Sequence, residues 1–317
     1  MEQTASEFLR AIRGRRSQVA FARRLGYRGN PITDWERGVR FPTAVEALRA
    51  AARVNIDVPA AFRRFSPEVM IDTHSSELAI DRWLLALRGT ASVNEVATRC
   101  GCSRYAVSRW FRGLAKPRLP DFMRLVDAIT GRLPDWVASF VPIESVPSLR
   151  DRHRAAAAAR LLALELPWTE AVLRLLETQA YRELPGHVAG WLASTLGMDP
   201  GEEQRCIDAL VTAGAVGLEG RHFVVRGPTT VDTRGGAEAL YRLKRHWCKV
   251  ASDRLSAPCE DELFAYNVIS VSRADLQLIR EKLSMTFRDI RSMVAASKPE
   301  QVAAVLNLHL MAFEPGQ

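Results

Sequence analysis

The side chains in this sequence that could do chemistry are mostly guanidinium groups. Lys and Arg total 44 against 36 Asp and Glu, a formal net charge of +8, and most of the cations are Arg, dense in the N-terminal third. A guanidinium presents a planar fork of donors that fits phosphate oxygens and base edges, so the composition points to a nucleic-acid partner. Groups for bond-making chemistry are sparse. His74, His153, His187, His222, His246 and His309 are scattered, with no His-x3-His spacing, no nucleophile elbow and no phosphate-cradling Gly loop. Asp261-Glu262 reads as a solvated turn rather than a catalytic pair. Cys100, Cys102, Cys206, Cys248 and Cys259 are odd in number and widely spaced, which fits reduced thiols inside a cell. Cys100 and Cys102 have no second pair at metal-ligand spacing. The expectation is a cytoplasmic, nucleoid-associated protein with no catalytic residues, no metal and no cofactor. No apolar run of about 18 residues is present, so no membrane span is expected, and the N-terminus lacks the apolar core of a signal peptide.

The elements that hold these arginines are written twice. Shifting the sequence by 75 residues places Phe8 on Trp83, Ser17 on Ser92, Ala22 on Ala97 and Gly26 on Gly101. It also places Ile32 on Val107, Trp35 on Trp110, Arg37-Gly38 on Arg112-Gly113 and Pro42 on Pro117. A gap-free register over about 45 positions marks a duplicated helical module. Ser17 and Ser92 are expected N-caps, "SVNE" and "TAVE" capping boxes, and Gly26 and Gly101 helix ends. Ala22 and Ala97 leave room for a neighbouring helix, which buries Ile32 and Trp35, or Val107 and Trp110. Residues 58–82 read as the link between the copies.

Helix, tight Gly turn, helix, with a small residue in the first helix, resembles the five-helix DNA-binding domain of the lambda-repressor and Cro type, also called the XRE type. The segment "SQVAFARRLGYRGNPITDWERGVRFP" carries the likeness most fully, over residues 8–57, and residues 83–135 repeat it with Val93 in place of Gln18. The resemblance implies that each third helix enters the major groove. It places base-reading residues at Arg28, Gly29, Asn30, Thr33 and Asp34 in copy one, and at Ser103, Arg104, Tyr105, Ser108 and Arg109 in copy two. Gln18, Arg37, Arg40, Arg112, Lys116 and Arg118 are implied backbone contacts. Arg104 and Arg109 suit guanine, and Asn30 suits adenine. Copy one departs from the pattern at Pro31, so its reading helix is expected to start late with Asn30 as cap, and Asp34 repels phosphate.

Three prolines, Pro134, Pro142 and Pro147, mark a boundary near 142–150. Beyond it, "WTEAVLRLLETQAY", "PGHVAGWLASTLG" and "PGEEQRCIDALVTAGAV" read as helices and "LEGRHFVVRG" as a hairpin, a winged-helix order. Glu202, Glu203 and Asp208 would face phosphate on the third of these helices, which favours a structural or dimer-forming role. A helix carrying Leu243 and Trp247, a β-like run "LFAYNVISVS", a helix opened by Ser272 and Asp275, and a β-like run "AVLNLHLMAF" complete the chain. This order resembles the domain of unknown function numbered 4423, found behind helix-turn-helix domains in bacterial regulators. The expected fold class is mainly α: two tandem helix-turn-helix bundles (1–66 and 67–145), then an α+β C-terminal domain (150–317) containing a winged-helix-like segment. The expected function is a transcriptional regulator that binds double-stranded DNA sequence-specifically. Its C-terminal half would form a homodimer or sense an unknown ligand. Docking of a partner protein by one of the two copies is the alternative.

Overall fold

The computed structural model of the chain describes residues 1–66, 69, 79–226, 237–257 and 259–313. The protein is mainly helical with one two-stranded sheet. Two compact units divide it: Met1–His153 with Phe287–Ala296, and Arg154–Thr286 with Ser297–Gln317. His74 and the expected boundary at 66–67 fall on or against positions outside the described residues.

The first unit contains α1 (Glu2–Arg13), α2 (Gln18–Arg24), α3 (Pro31–Arg37), α4 (Ala44–Arg53) and α5 (Val58–Phe65). These are followed by α6 (Ile80–Arg88), α7 (Val93–Cys100), α8 (Arg104–Phe111), α9 (Leu119–Thr130) and α10 (Leu133–Ala138). Local chemistry caps the second helix of both sets with an equivalent serine. The Ser17 hydroxyl accepts from Ala20 N–H, and the Ser92 hydroxyl from Glu95 N–H, whose carboxylate returns a bond to the Ser92 N–H at 2.6 Å. Thr43 and Glu46 form the same reciprocal box at the start of α4. Residues 58–65, read from sequence as part of a linker, are instead α5. Asp57 caps it, and its Val58, Ala61, Phe62 and Phe65 are buried. An amphipathic segment of this kind lowers its free energy by burying that face rather than by bridging modules in solvent.

The two sets share one core, and their contact is reciprocal. Ala44 N–H donates to Pro117 C=O at 2.9 Å and Leu119 N–H donates to Pro42 C=O at 2.9 Å, framing an antiparallel bridge between Thr43 and Arg118. Rings interlock in the same way. Phe8 of α1 meets Phe140, just after α10, at 5.9 Å, and Trp83 of α6 meets Phe65 of α5 at 6.1 Å. Phe62, Phe122 and Trp136 complete the aromatic cluster. Edge and tilted pairs of this kind add to the apolar area they bury.

Beyond α10, α11 (Arg150–Glu165), α12 (Trp168–Leu176), α13 (Gln179–Arg182), α14 (Trp191–Leu196) and α15 (Pro200–Thr212) precede a hairpin of β1 (Val216–Glu219) and β2 (His222–Val225). Val216 pairs with Val225 and Glu219 with His222. Then come α16 (Ala237–Arg254), whose Leu243 and Trp247 are buried, and α17 (Arg273–Ala296), opened by the Ser272 hydroxyl accepting from Asp275 N–H. Two expectations fail here. The segment read as a helix from Pro185 is helical only from Trp191. The β-like runs form no strand, since 262–272 and 300–313 lack regular structure. A strand needs a neighbour to complete its ladder, and alternation in the sequence supplies only the side-chain pattern.

Gly38 and Gly113 close α3 and α8 with φ of +76° and +70°. A Cβ at Gly38 would stand 3.5 Å from the Ser6 hydroxyl, but one at Gly113 would stand 2.8 Å from the Asp81 carboxylate. Gly38→Ala is expected to cost about 1–2 kcal/mol through left-handed backbone strain, and Gly113→Ala more, because Asp81 must also move. Urea unfolding of both variants measures the order.

Candidate nucleic-acid interface

Sequence places Pro31 at the first position of α3, where its missing N–H leaves no helical bond unmade. Asn30 is the N-cap, as expected, yet its side chain makes no cap bond. The Asn30 amide nitrogen donates instead to the Thr33 hydroxyl at 2.9 Å, and that hydroxyl donates to Gln18 Oε1 at 3.0 Å. Gln18 Nε2 donates to Glu36 Oε2 at 2.8 Å, and Arg13 grips the buried Glu36 carboxylate through Nε at 2.5 Å and Nη2 at 3.2 Å. Five side chains thus form one internal relay. It engages Gln18, Asn30 and Thr33, which the resemblance assigned to DNA. Arg28, Arg37 and Arg40 are exposed around it, and Asp34 is half-buried.

The second copy has solved the same location differently. At the 75-residue offset, Arg13 becomes Arg88, Gln18 becomes Val93, Thr33 becomes Ser108 and Glu36 becomes Phe111. The Arg88 guanidinium lies over the Phe111 ring, 4.9 Å from its centroid, so a cation–π contact replaces the ion pair. Ser103 caps α8 by accepting from Ala106 N–H at 3.2 Å. Arg104 and Tyr105 then project at the start of the helix, Tyr105 with 69% of its surface exposed. One turn on, the Arg109 guanidinium lies 5.6 Å from the Tyr105 ring centroid. Ser108 is half-buried, and Arg112, Lys116 and Arg118 follow on the surface. Tyr105 and Arg109 therefore share one face at helical spacing. They present a flat ring and a forked donor of the kind that meets a base edge or a phosphate.

Trp35 is buried, as expected, but Trp110 is only half-buried. Tyr27 covers Trp35 edge-on at 5.7 Å, whereas its equivalent is Cys102, too small to do the same. Burial pushes the Cys102 thiol up to about 12 and the Cys206 thiol up to about 11, which removes thiolate character from both. The roles of Arg13, Glu36 and Phe111 were not read from sequence. The signal was present in the paired change Arg13/Glu36 to Arg88/Phe111 at one offset.

In the second unit, Glu203 does not face outward. It is buried, and its carboxylate accepts from Gly190 N–H at 2.9 Å and Ala193 N–H at 2.6 Å, serving the N-terminus of α14. Those orphan donors are what drew it inward; Glu202 is half-buried and Asp208 exposed. His187 lies 3.8 Å from Glu203 and 3.4 Å from the Tyr181 hydroxyl, which accepts from Phe223 N–H. Among the described residues no group of three or more His, Cys, Asp or Glu is arranged to hold a metal ion, and no helix is long and apolar enough to cross a membrane.

A protein-family profile described as "Domain of unknown function (DUF4423)" matches residues 162–314, so the C-terminal half is similar to that family. No curated protein and no solved structure matches the chain.

Burial depresses the pKa of both His187 and His246, the latter packed edge-on between Trp168 and Trp247. The folded state therefore resists protonating them, and stability present above the unfolded value of about 6.5 is lost as pH falls below it. The urea midpoint is expected to drop between pH 7.5 and 5.5, and His246→Phe to flatten that drop.

Proposed function

We propose that the chain is a sequence-specific regulator that binds double-stranded DNA, not an enzyme. In this reading α2–α3 and α7–α8 are helix-turn-helix units, α3 and α8 are the reading helices, and the protein works in the cytoplasm on the nucleoid. The observation that carries the reading is the start of α8. Arg104 and Tyr105 are exposed there, Arg109 is stacked on the ring one turn on, and the basic residues Arg112, Lys116 and Arg118 follow where a phosphate backbone would run. Copy two then carries most of the direct base readout. Copy one contributes Arg28, Arg37, Arg40 and the exposed Asn30, while the relay occupies the side chains of Thr33, Gln18 and Glu36. The same relay favours the second reading, in which copy one also docks a partner protein.

The C-terminal half is the dimerising or sensing part. The α14–α15–hairpin segment is winged-helix-like in order, and Glu202 and Asp208 on α15 disfavour phosphate, which suits a structural role. The extended runs 262–272 and 300–313 expose large apolar groups, Tyr266 at 94% and Phe313 at 90% among them. A second copy would cover them and complete the ladders their alternating sequence is suited to.

Replacing Arg104 and Arg109 together by Ala should weaken operator binding by about 1–3 kcal/mol per lost base contact and relax specificity, with a smaller loss for Arg28→Ala plus Asn30→Ala. Fluorescence anisotropy on a selected duplex measures both. If six to ten phosphates are touched, affinity should fall about 10³–10⁵-fold between 50 and 200 mM salt, and a flat response would sink the reading. Light scattering should give the mass of a dimer at micromolar concentration; a monomer would remove the dimerising role.

A further inference from the structure

The two copies are consecutive in sequence, and a chain of consecutive modules ordinarily reads DNA as a direct repeat, each module facing the same way. The contact between these copies has a different symmetry. Thr43 and Arg118 are equivalent positions, 75 residues apart, and they pair with each other. Ala44 and Leu119 are equivalent, as are Pro42 and Pro117, and each copy donates to the other across the same two bonds. Phe8 is equivalent to Trp83, and Phe65 to Phe140, so the ring contacts Phe8–Phe140 and Trp83–Phe65 are one contact made twice, at 5.9 and 6.1 Å. The Arg64 guanidinium reaches the carbonyl of Ser139, its own equivalent. When residue i of one half meets residue j of the other and j meets i, the relation is a two-fold rotation, and a head-to-tail translation cannot produce it.

The axis passes between Thr43 and Arg118. Each of α3 and α8 reaches that point through a short segment, 38–42 and 112–117, so by the two-fold relation the two helices stand on either side of the axis in opposite directions. Duplex DNA has the same local symmetry about its own dyads, which is why two-fold protein dimers meet inverted half-sites. From the reciprocal bonds we infer that one chain, through its own internal two-fold, recognises a bipartite double-stranded DNA site of two inverted half-sites. The half-sites are unlike, because the groups offered differ: Arg28 and Asn30, both exposed, on one side, and Arg104, Tyr105 and Arg109 on the other. Their spacing is fixed, because α5 packs on α10 and the aromatic cluster joins both halves in one core. The inference rests on the DNA-binding reading and adds the architecture of the site.

The test is selection of the full-length chain on a pool of random duplexes, followed by hydroxyl-radical footprinting. The expected consensus has two dissimilar elements in inverted orientation, with centres about one helical turn apart. Arg104→Ala with Arg109→Ala should erase preference in one element only, by about tenfold or more, and Arg28→Ala with Asn30→Ala in the other. All four residues are exposed or half-buried, and an unchanged melting curve checks that each variant is folded. Inserting about 5 bp, half a turn, between the elements should reduce binding to that of a single element. A direct repeat, a single element, or indifference to the insertion would each overturn the inference and leave the DNA-binding reading standing. Recovery of no sequence at all, with no salt-dependent binding, would end both.

Discussion

The short antiparallel contact between residues 42–44 and 117–119 is the constraint on which the first unit depends. Each copy leaves a proline-led strand of backbone before its fourth helix, and each such segment has polar groups that need partners once covered. The two satisfy one another. With that contact set, α4 and α9 are brought side by side, α5 meets α10, and the fifth-helix segment of each half lies against the ring presented by the first helix of the other. Neither half's aromatic residues are enclosed by their own half alone. The unit is therefore one core with internal symmetry, and its cooperativity follows from rings shared across the axis.

Within that symmetric frame the two halves have diverged by coupled exchange. An ion pair buried beneath α3 requires hydrogen bonds for its remaining lone pairs, and Gln18 supplies one at the cost of its own availability. Beneath α8 the acid has become Phe111, the arginine lies on its ring, and the glutamine is Val93. The surface above changes as a result. A buried charge in one half ties inward the groups that stand over it. An apolar filling in the other leaves the side chains at its helix start facing solvent.

Much of this was legible in sequence because it is local. Helix caps, capping boxes and the positive-φ glycines depend on residues three or four apart, and the 75-residue register exposed the Ser17/Ser92 caps and the glycine pairs twice. The difference between the two helix starts was also visible, in Gly29-Asn30-Pro31 against Arg104-Tyr105-Ala106. What sequence did not reveal depends on partners distant along the chain. Residues 58–65 looked like a linker because the rings that bury them lie in the other copy. Glu203 looked outward-facing because its two N–H partners, Gly190 at the cap of α14 and Ala193 in its first turn, lie ten or more residues before it. Trp110 looked like core because Tyr27's place is taken by Cys102, a loss felt only where the two side chains meet. The alternating runs 262–272 and 300–313 carry strand-like side chains, but a ladder is a property of two segments.

The pairing of Thr43 with Arg118 has a consequence for how such a protein can change. In a dimer of identical chains, every substitution at the axis is made twice and must tolerate its own image; a charge there faces the same charge. Here the backbone of a threonine pairs with that of an arginine, and the Arg118 guanidinium donates across to the Phe41 carbonyl. Joining the halves covalently also makes their association independent of dilution, since the local concentration is set by the chain and not by the cell. Each half is thus free to acquire residues that its twin would forbid. The molecule keeps the geometry of a symmetric pair while escaping the requirement that its two members agree.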